Sequence, residues 1–300
     1  MVKFKAVGLF FLLMALSPGI IFAADGPKRI VSLTPSLTES LYSLGMGEEL
    51  IAVTSYCNYP ADARRTKEII GTLINPNIEK IFSLSPGLIL AVRGINRPQA
   101  IDKLKSLGLN VVAFDKCNTY DDIINSFLKL GKLTGTEQKA KDIVNRVDKE
   151  VQYISQKVKA LPAARVFWEV GARPLISIGA KAFANEFIRY AGGINVFSNT
   201  AVIYPRVSRE EVLKMNPEVI ILVVMGNVTE KEKAYWQKFP ELAAAKSGRI
   251  YLINADSVCR PTPLSFLVGL KKVAALLHPE SFKQKISYNE KEARMSDDND

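Results

Sequence analysis

Two stretches of this chain, a constant 131 residues apart, repeat one pattern, and that repeat limits the folds open to it more than any other feature. Residues 78–90 read IEKIFSLSPGLIL and residues 209–221 read REEVLKMNPEVII. Glu79 falls on Glu210, Ile81 on Val212, Phe82 on Leu213, Leu84 on Met215 and Pro86 on Pro217. The apolar run Leu88, Ile89, Leu90 falls on Val219, Ile220, Ile221. Each copy predicts a short helix, a turn at proline and a buried strand. A weaker echo sets ESLYSLG at 39–45 against EFIRYAG at 186–192, each a helix closed by glycine, the residue that suits a helix C-cap. A chain that carries the same unit twice is expected to build two similar lobes.

Between the copies lies one strongly periodic segment, residues 136–161. Ala140, Ile143, Val144, Val147, Val151, Ile154, Val158 and Leu161 recur at three- and four-residue steps, which is one stripe of a helix. Gly135 precedes it, Thr136 can supply an N-cap oxygen, and Pro162 stops it. Lysines, acids and glutamines fill the opposite face, so the stripe can lie across both lobes while the back stays in water.

On either side, short apolar strands alternate with helices. Strands are expected at 29–34, 50–55, 88–93 and 110–115 in the first lobe, and at 165–170, 175–178, 219–224 and 249–254 in the second, with a last helix at 263–277. Continuous apolar runs such as LILAV and VVAF fit parallel sheets covered on both faces. The expected fold is α/β, two lobes with mostly parallel central sheets (28–135 and 162–278) joined by the long helix at 136–161. In open sheets of this kind ligands bind beyond the carboxyl ends of the strands. The segments there mix aromatic and hydrogen-bonding residues, as a large, partly apolar, polar-edged ligand would need.

Residues 1–24 carry Lys3 and Lys5, an apolar run from Ala6 to Leu16, a Ser17-Pro18-Gly19 break and small residues at Ala23 and Ala24, the layout of a cleaved signal peptide. Residues 283–300 are polar and aperiodic and read as a flexible tail. The net charge of +10, or +8 without Lys3 and Lys5, is spread among interleaved acids, which is a solvated surface and not a nucleic-acid footprint.

In these motifs the chain resembles the periplasmic binding proteins of cobalamin and iron-siderophore ABC importers, most closely the cobalamin-binding branch. The resemblance covers about 28–278 and rests on RIVSLTPSLTESLYSLG, SYCNYP, NPNIEKIFSLSPGLILAVRGIN, IYPRVSREEVL and the D-x-x-x-R-P stretch from Asp256. It implies a monomeric periplasmic carrier that needs no cofactor, with two lobes bridged by one helix. The implied partners are a corrinoid, foremost cobalamin, and an inner-membrane permease dimer, with haem or a ferric siderophore as alternative ligands. The implied ligand contacts are Tyr56, Tyr59, Arg93, Gly94, Asn96, Tyr204, Asp256 and Arg260. Glu79 and Glu210 stand where the family docks one acid per lobe onto permease arginines; otherwise they are acids favoured in a first helical turn. Ser208 and Glu211 form a capping-box pattern that leaves Glu210 free. The chain departs from the cobalamin-binding pattern at Leu73 and around Ser257 and Val258, where rings are missing.

Cys57, Cys117 and Cys259 follow strands on the expected ligand side. A Cys57–Cys117 disulfide, another pairing and three free thiols are all open readings. His278, the only histidine, ends the last helix and is expected to face solvent. With no nucleotide-binding glycine motif, no nucleophile elbow and no C-x-x-C, the chain offers little for enzymatic acid–base work, although acids near the cleft leave an exported tetrapyrrole-handling enzyme as a lesser alternative.

Overall fold

The computed structural model describes residues 26–226 and 228–282. The expected signal peptide, residues 1–24, and the expected tail, residues 283–300, lie outside the described residues. The first lobe runs β1 (Ile30–Ser32), α1 (Pro35–Ser43), β2 (Leu50–Val53), α2 (Ala61–Thr66), β3 (Glu68–Ile69), α3 (Ile78–Ser83), β4 (Leu88–Val92), α4 (Pro98–Ser106), β5 (Val111–Phe114) and α5 (Tyr120–Leu133). After α6 (Glu137–Val158) the second lobe runs β6 (Arg165–Ala172), β7 (Leu175–Ser177), α7 (Phe183–Tyr190), β8 (Ile194–Asn195), α8 (Arg209–Met215), β9 (Val219–Val224), α9 (Glu230–Trp236), α10 (Ala243–Lys246), β10 (Ile250–Asn254) and α11 (Pro263–Leu277).

The first sheet is parallel throughout, in the order β3-β2-β1-β4-β5. Its strand β4, LILAV, is buried along its whole length, as the apolar run requires. The second sheet has the order β10-β9-β6-β7 with β8 also on β6, and only the β6–β7 pair is antiparallel. Several strands of the first lobe stop one or two residues short of the expected ends. Thr34, Ser55, Arg93 and Asp115 leave the ladder and begin the loops at the carboxyl edge.

The repeat holds at the level of backbone hydrogen bonds. Ser85 and Asn216, 131 positions apart, both adopt left-handed φ, +45° and +41°, to end α3 and α8 before their prolines. Arg29 donates to the carbonyl of Leu84, and Arg165 to that of Met215, so one arginine at the start of each lobe's first strand holds the end of each repeated helix. Gly87 N–H then bonds Arg29 O at 3.0 Å and Glu218 N–H bonds Arg165 O at 2.9 Å. The two echo segments ESLYSLG and EFIRYAG end α1 and α7, which close through Gly45 and Gly192 at φ +80° and +72°. The Ser208–Glu211 capping box is present.

Helix α6 buries Ala140, Ile143, Val144, Val147, Val151, Ile154 and Val158 and packs this stripe against α5 of the first lobe and α11 of the second. One continuous core therefore runs from the first sheet through α6 to the second. The ends differ from expectation. Thr136 does not cap; its hydroxyl pairs with Thr134 Oγ1 at 2.8 Å, and the helix stops at Val158, three residues before Leu161. His278 also differs: it is buried, its Nε2 lies 2.9 Å from Ala191 O, and burial holds its pKa below the usual histidine value. The turn after α11 folds back against Ala191, beside Gly192, instead of pointing outward. The three cysteines are all free. Cys57 does not reach for Cys117; its sulfur sits among the hydroxyls of Thr38 and Thr54, at 3.2 and 3.4 Å.

Candidate functional site

Between the carboxyl edges of the two sheets lies a cavity of about 470 Å³, within the range of small-ligand sites. Both lobes and α5 line it. Its inner wall is apolar, with Ile123, Phe127, Trp168, Phe183, Val223 and Val258, while Ser36, Asp115, Lys116, Tyr204 and Cys259 supply the polar part. The aromatic inner end is held by ring packing: Trp168 stacks on Phe187, and Phe183 meets Phe187 edge to face. Trp168 is fully buried, and its indole N–H has no hydrogen-bond partner among the described residues. A buried donor left in this state at the wall of a cavity is a place where an acceptor would be held.

The expected ligand contacts divide into groups. Tyr204, half exposed, lines the cavity, and the Lys116 ammonium of the opposite lobe stands 5.8 Å from its ring centre. Arg93 pairs with Asp115 at 2.7 Å, both exposed on adjacent strand-end loops of the first lobe. Arg260 lies 4.7 Å over the ring of Tyr59, and its Nη1 is 3.5 Å from Asp256. Tyr59, Asp256 and Arg260 are thus one group that spans the lobes, next to the cavity residues Cys259 and Pro261. Tyr56 is 57% exposed on the loop after β2, so its ring is available to a ligand but held by no neighbour identified among the described residues. Gly94 has φ +76°, and a Cβ there would meet nothing within 4 Å, so backbone conformation and not close approach calls for glycine.

Asn96 is a correction. It is 1% exposed; its Oδ1 accepts from Val92 N–H at 2.8 Å and its Nδ2 donates to Leu33 O and Leu73 O at 3.1 and 2.9 Å. Both N–H donors and one lone pair of the amide oxygen are spent on tying three strand-end segments together, so Asn96 builds the rim from inside.

The thiols are poor ligands. Burial pushes Cys117 up to about 11, and Cys259, an exposed residue whose thiol is crowded by protein atoms, also up to about 11, so both stay protonated at neutral pH. Among the described residues no group of three or more histidines, cysteines or acids could hold a metal, and no helix is long and apolar enough to cross a membrane.

Glu79 and Glu210 are exposed in the first turns of α3 and α8, away from the strand-end loops, and neither enters an ion pair identified among the described residues. Sequence reasoning missed Lys116, Trp168, Phe183 and Glu39, a glutamate of α1 that is 2% exposed. Lys116 lies in the loop just after β5 and could have been picked by position; Trp168 is inside β6 and Phe183 opens α7, so neither had that signal. Glu39 could not be picked either, because α1 buries five consecutive residues, Leu37 to Leu41, and so shows no helical period.

Comparison with known proteins agrees with this geometry. A protein named vitamin B12-binding protein from Pectobacterium atrosepticum is 32% identical over 249 residues, 78% of this chain and 88% of the relative. The crystal structure of the periplasmic vitamin B12 binding protein of Vibrio cholerae superposes with a TM-score of 0.72 at 30% identity, covering 84% of this chain and 96% of that one. A possible iron-binding periplasmic solute-binding protein from Staphylococcus epidermidis superposes with a TM-score of 0.75 at 29% identity, covering 84% and 99%. The family model described as periplasmic binding protein matches residues 30–257, and the chain belongs to that family.

Proposed function

We propose that this protein captures a corrinoid, foremost cobalamin, between its two lobes in the periplasm and delivers it to an inner-membrane ABC importer. In this reading residues 1–24 direct export, and the lobes at 28–135 and 162–278 grip the ligand. The observation that carries the proposal is the cavity at the facing carboxyl edges: an apolar inner wall, an unpartnered Trp168 N–H, and tyrosines and charges from both lobes at the rim. A flat macrocycle with amide side chains suits it, since rings bury large area at low entropy cost and polar rim groups meet the amides. The likeness to vitamin B12-binding relatives supports the same choice. The largely apolar inner wall favours a second ligand, haem, whose propionate-free edge is apolar.

The test is an absorption titration of purified protein with cyanocobalamin, cobinamide, haemin and a ferric siderophore. A coloured one-to-one complex with a corrinoid is expected; uptake of haemin alone moves the ligand to the second reading, and uptake of none overturns the carrier assignment. Replacing Tyr204 by Ala should weaken binding by about 1–3 kcal/mol, the cost of a well-packed aromatic contact.

Glu79 and Glu210 fit the permease contact. They occupy equivalent points of two similar lobes, as a two-fold partner with one basic site per subunit requires. The double Ala variant should bind ligand as wild type does and lose transport, and charge reversal should be worse because it sets like charges together. Normal transport by the double variant would leave these acids with helix-end roles only.

A further inference from the structure

Polar contacts cross between the lobes at places the carrier reading does not use, and they form two matching sets. Glu39, on α1 of the first lobe, accepts hydrogen bonds from Thr262 Oγ1 at 2.5 Å and Ser265 Oγ at 2.6 Å. These belong to the N-cap and first turn of α11 in the second lobe. Glu186, on α7 of the second lobe and 7% exposed, accepts the N–H of Tyr120 at 3.0 Å. Tyr120 is the first residue of α5 in the first lobe. Helices α5 and α11 each follow the last strand of their lobe, and Glu39 and Glu186 open the matching segments ESLYSLG and EFIRYAG. Each lobe therefore sets a buried acid, carried on its own echo helix, against the N-terminal end of the other lobe's last helix. A helix N-terminus carries partial positive charge, which favours a carboxylate; Glu186 takes a backbone N–H there, and Glu39 takes the hydroxyls of the cap and first turn.

The two acids differ in their cations. Arg189, from the same helix as Glu186, holds it through Nε and Nη2, each at 2.9 Å. Arg260 comes from the second lobe to Glu39 in the first, with its Nε 3.1 Å from Oε2, in ion contact but out of hydrogen-bond alignment. The same guanidinium lies on the Tyr59 ring at the cleft rim. A buried carboxylate with one fixed cation and two hydroxyl donors leaves that cation little freedom to move.

We propose that Glu39 and Glu186 are reciprocal struts that set the spacing of the lobes, and that Glu39 is also the positioning residue for Arg260, holding the guanidinium beside Tyr59 for a carbonyl or anionic group of the ligand. The positioning role rests on the carrier reading; the struts do not.

The test uses the full mature chain without ligand first. In amide hydrogen exchange, Glu186→Ala should speed Tyr120 and its neighbours in the first lobe at least tenfold, and Glu39→Ala should do the same for residues 262–266 of the second. Exchange that quickens only in the lobe carrying the substitution, or not at all, overturns the struts. If Glu39→Ala does not fold, Thr262→Val removes the donor from the other side and must speed exchange in α1. Glu39→Gln keeps acceptors for both hydroxyls but loses the charge that holds Arg260. It should leave exchange near wild type yet weaken binding of cyanocobalamin or haemin, whichever wild type takes up, about tenfold. Arg260→Ala should do likewise, and the double variant should lose no more than either. Additive losses overturn the positioning role. Wild type that takes up neither probe ends that role together with the carrier reading, while the exchange data still decide the struts.

Discussion

On the sheet face away from the shared core, the first lobe packs aliphatic side chains, among them Val31, Leu33, Ile70, Ile81, Ile89 and Leu104. The matching face of the second lobe packs Phe167, Val212, Ile220, Leu222 and Trp236, with Phe197, Tyr235 and Phe239 around them. The positions correspond, since Ile81 and Val212, and Ile89 and Ile220, are 131 residues apart. The materials do not. With the rings come buried polar pairs: Trp236 Nε1 donates to buried Glu169 at 2.8 Å, and Arg209 joins buried Glu232 at 2.8 Å while lying 3.7 Å over the Tyr235 ring. One repeated backbone unit thus tolerates either an apolar filling, insensitive to pH, or an aromatic one whose indole and acids must satisfy each other.

The largest expected effect breaks this contrast at its centre. Trp236→Ala should cost about 3–5 kcal/mol, because it opens a large void and also leaves the Glu169 carboxyl without its donor. Ile89→Ala, equally buried in the first lobe, removes only methyl groups and should fall at the low end of about 2–5 kcal/mol. Denaturant titration of both variants measures the difference; an Ile89 loss as large as the Trp236 loss would mean that the polar partners add nothing.

The next effect is titration. Burial pushes Glu169 from 4.5 up to about 8, and the charge of nearby Glu232 adds to the rise, against the Trp236 hydrogen bond and Arg209, which pull it down. A folded pKa above the unfolded one means that the native state holds the extra proton between these values. The stabilisation is fully present below about 4.5 and is lost as pH rises through about 8. Relative to wild type, Glu169→Gln should therefore gain stability from pH 5 to pH 9, on the order of 2–4 kcal/mol at about 1.4 kcal/mol per unit. A constant difference between the two proteins across that range would place Glu169 in its ionised form at neutral pH.

What could be read from the sequence follows the same division. Elements with a period or a repeat were legible: the α6 stripe, both helix–proline–strand units and the Ser208 capping box rest on local patterns. Residues whose role depends on distant partners were not. Asn96 stands in a motif at a strand end, yet three segments of the first lobe claim its amide. His278 follows the last helix, yet its ring turns inward onto the carbonyl of Ala191. Glu39 and Glu186 show an acid in an apolar helix, but their partners lie 223 and 66 residues away. Among the candidate site residues, Tyr204 could be placed on the ligand side from the resemblance of its IYPRVSREEVL motif, and it does line the cavity, whereas the joining of Tyr59 to Arg260 needed the second lobe in place.

The smallest expected effect tests the repeat at a single dihedral. Ser85 and Asn216 both sit in the left-handed region before a proline, where a Cβ costs energy and glycine does not. Ser85 is exposed, and Gly there should relieve strain and stabilise by about 0.5–1 kcal/mol, less some unfolded-chain entropy. Asn216 is the better-suited residue for this conformation, and its Oδ1 also accepts the Ala243 N–H that starts α10, at 2.8 Å. Asn216→Gly should recover less strain and lose that bond, worth about 1 kcal/mol, for a net loss. Thermal unfolding should therefore move up for Ser85→Gly and down for Asn216→Gly. Shifts of the same sign and size would mean that the Asn216 side chain does no more for α10 than the Ser85 hydroxyl does in the first lobe, and that the two turns are equivalent in energy as well as in shape.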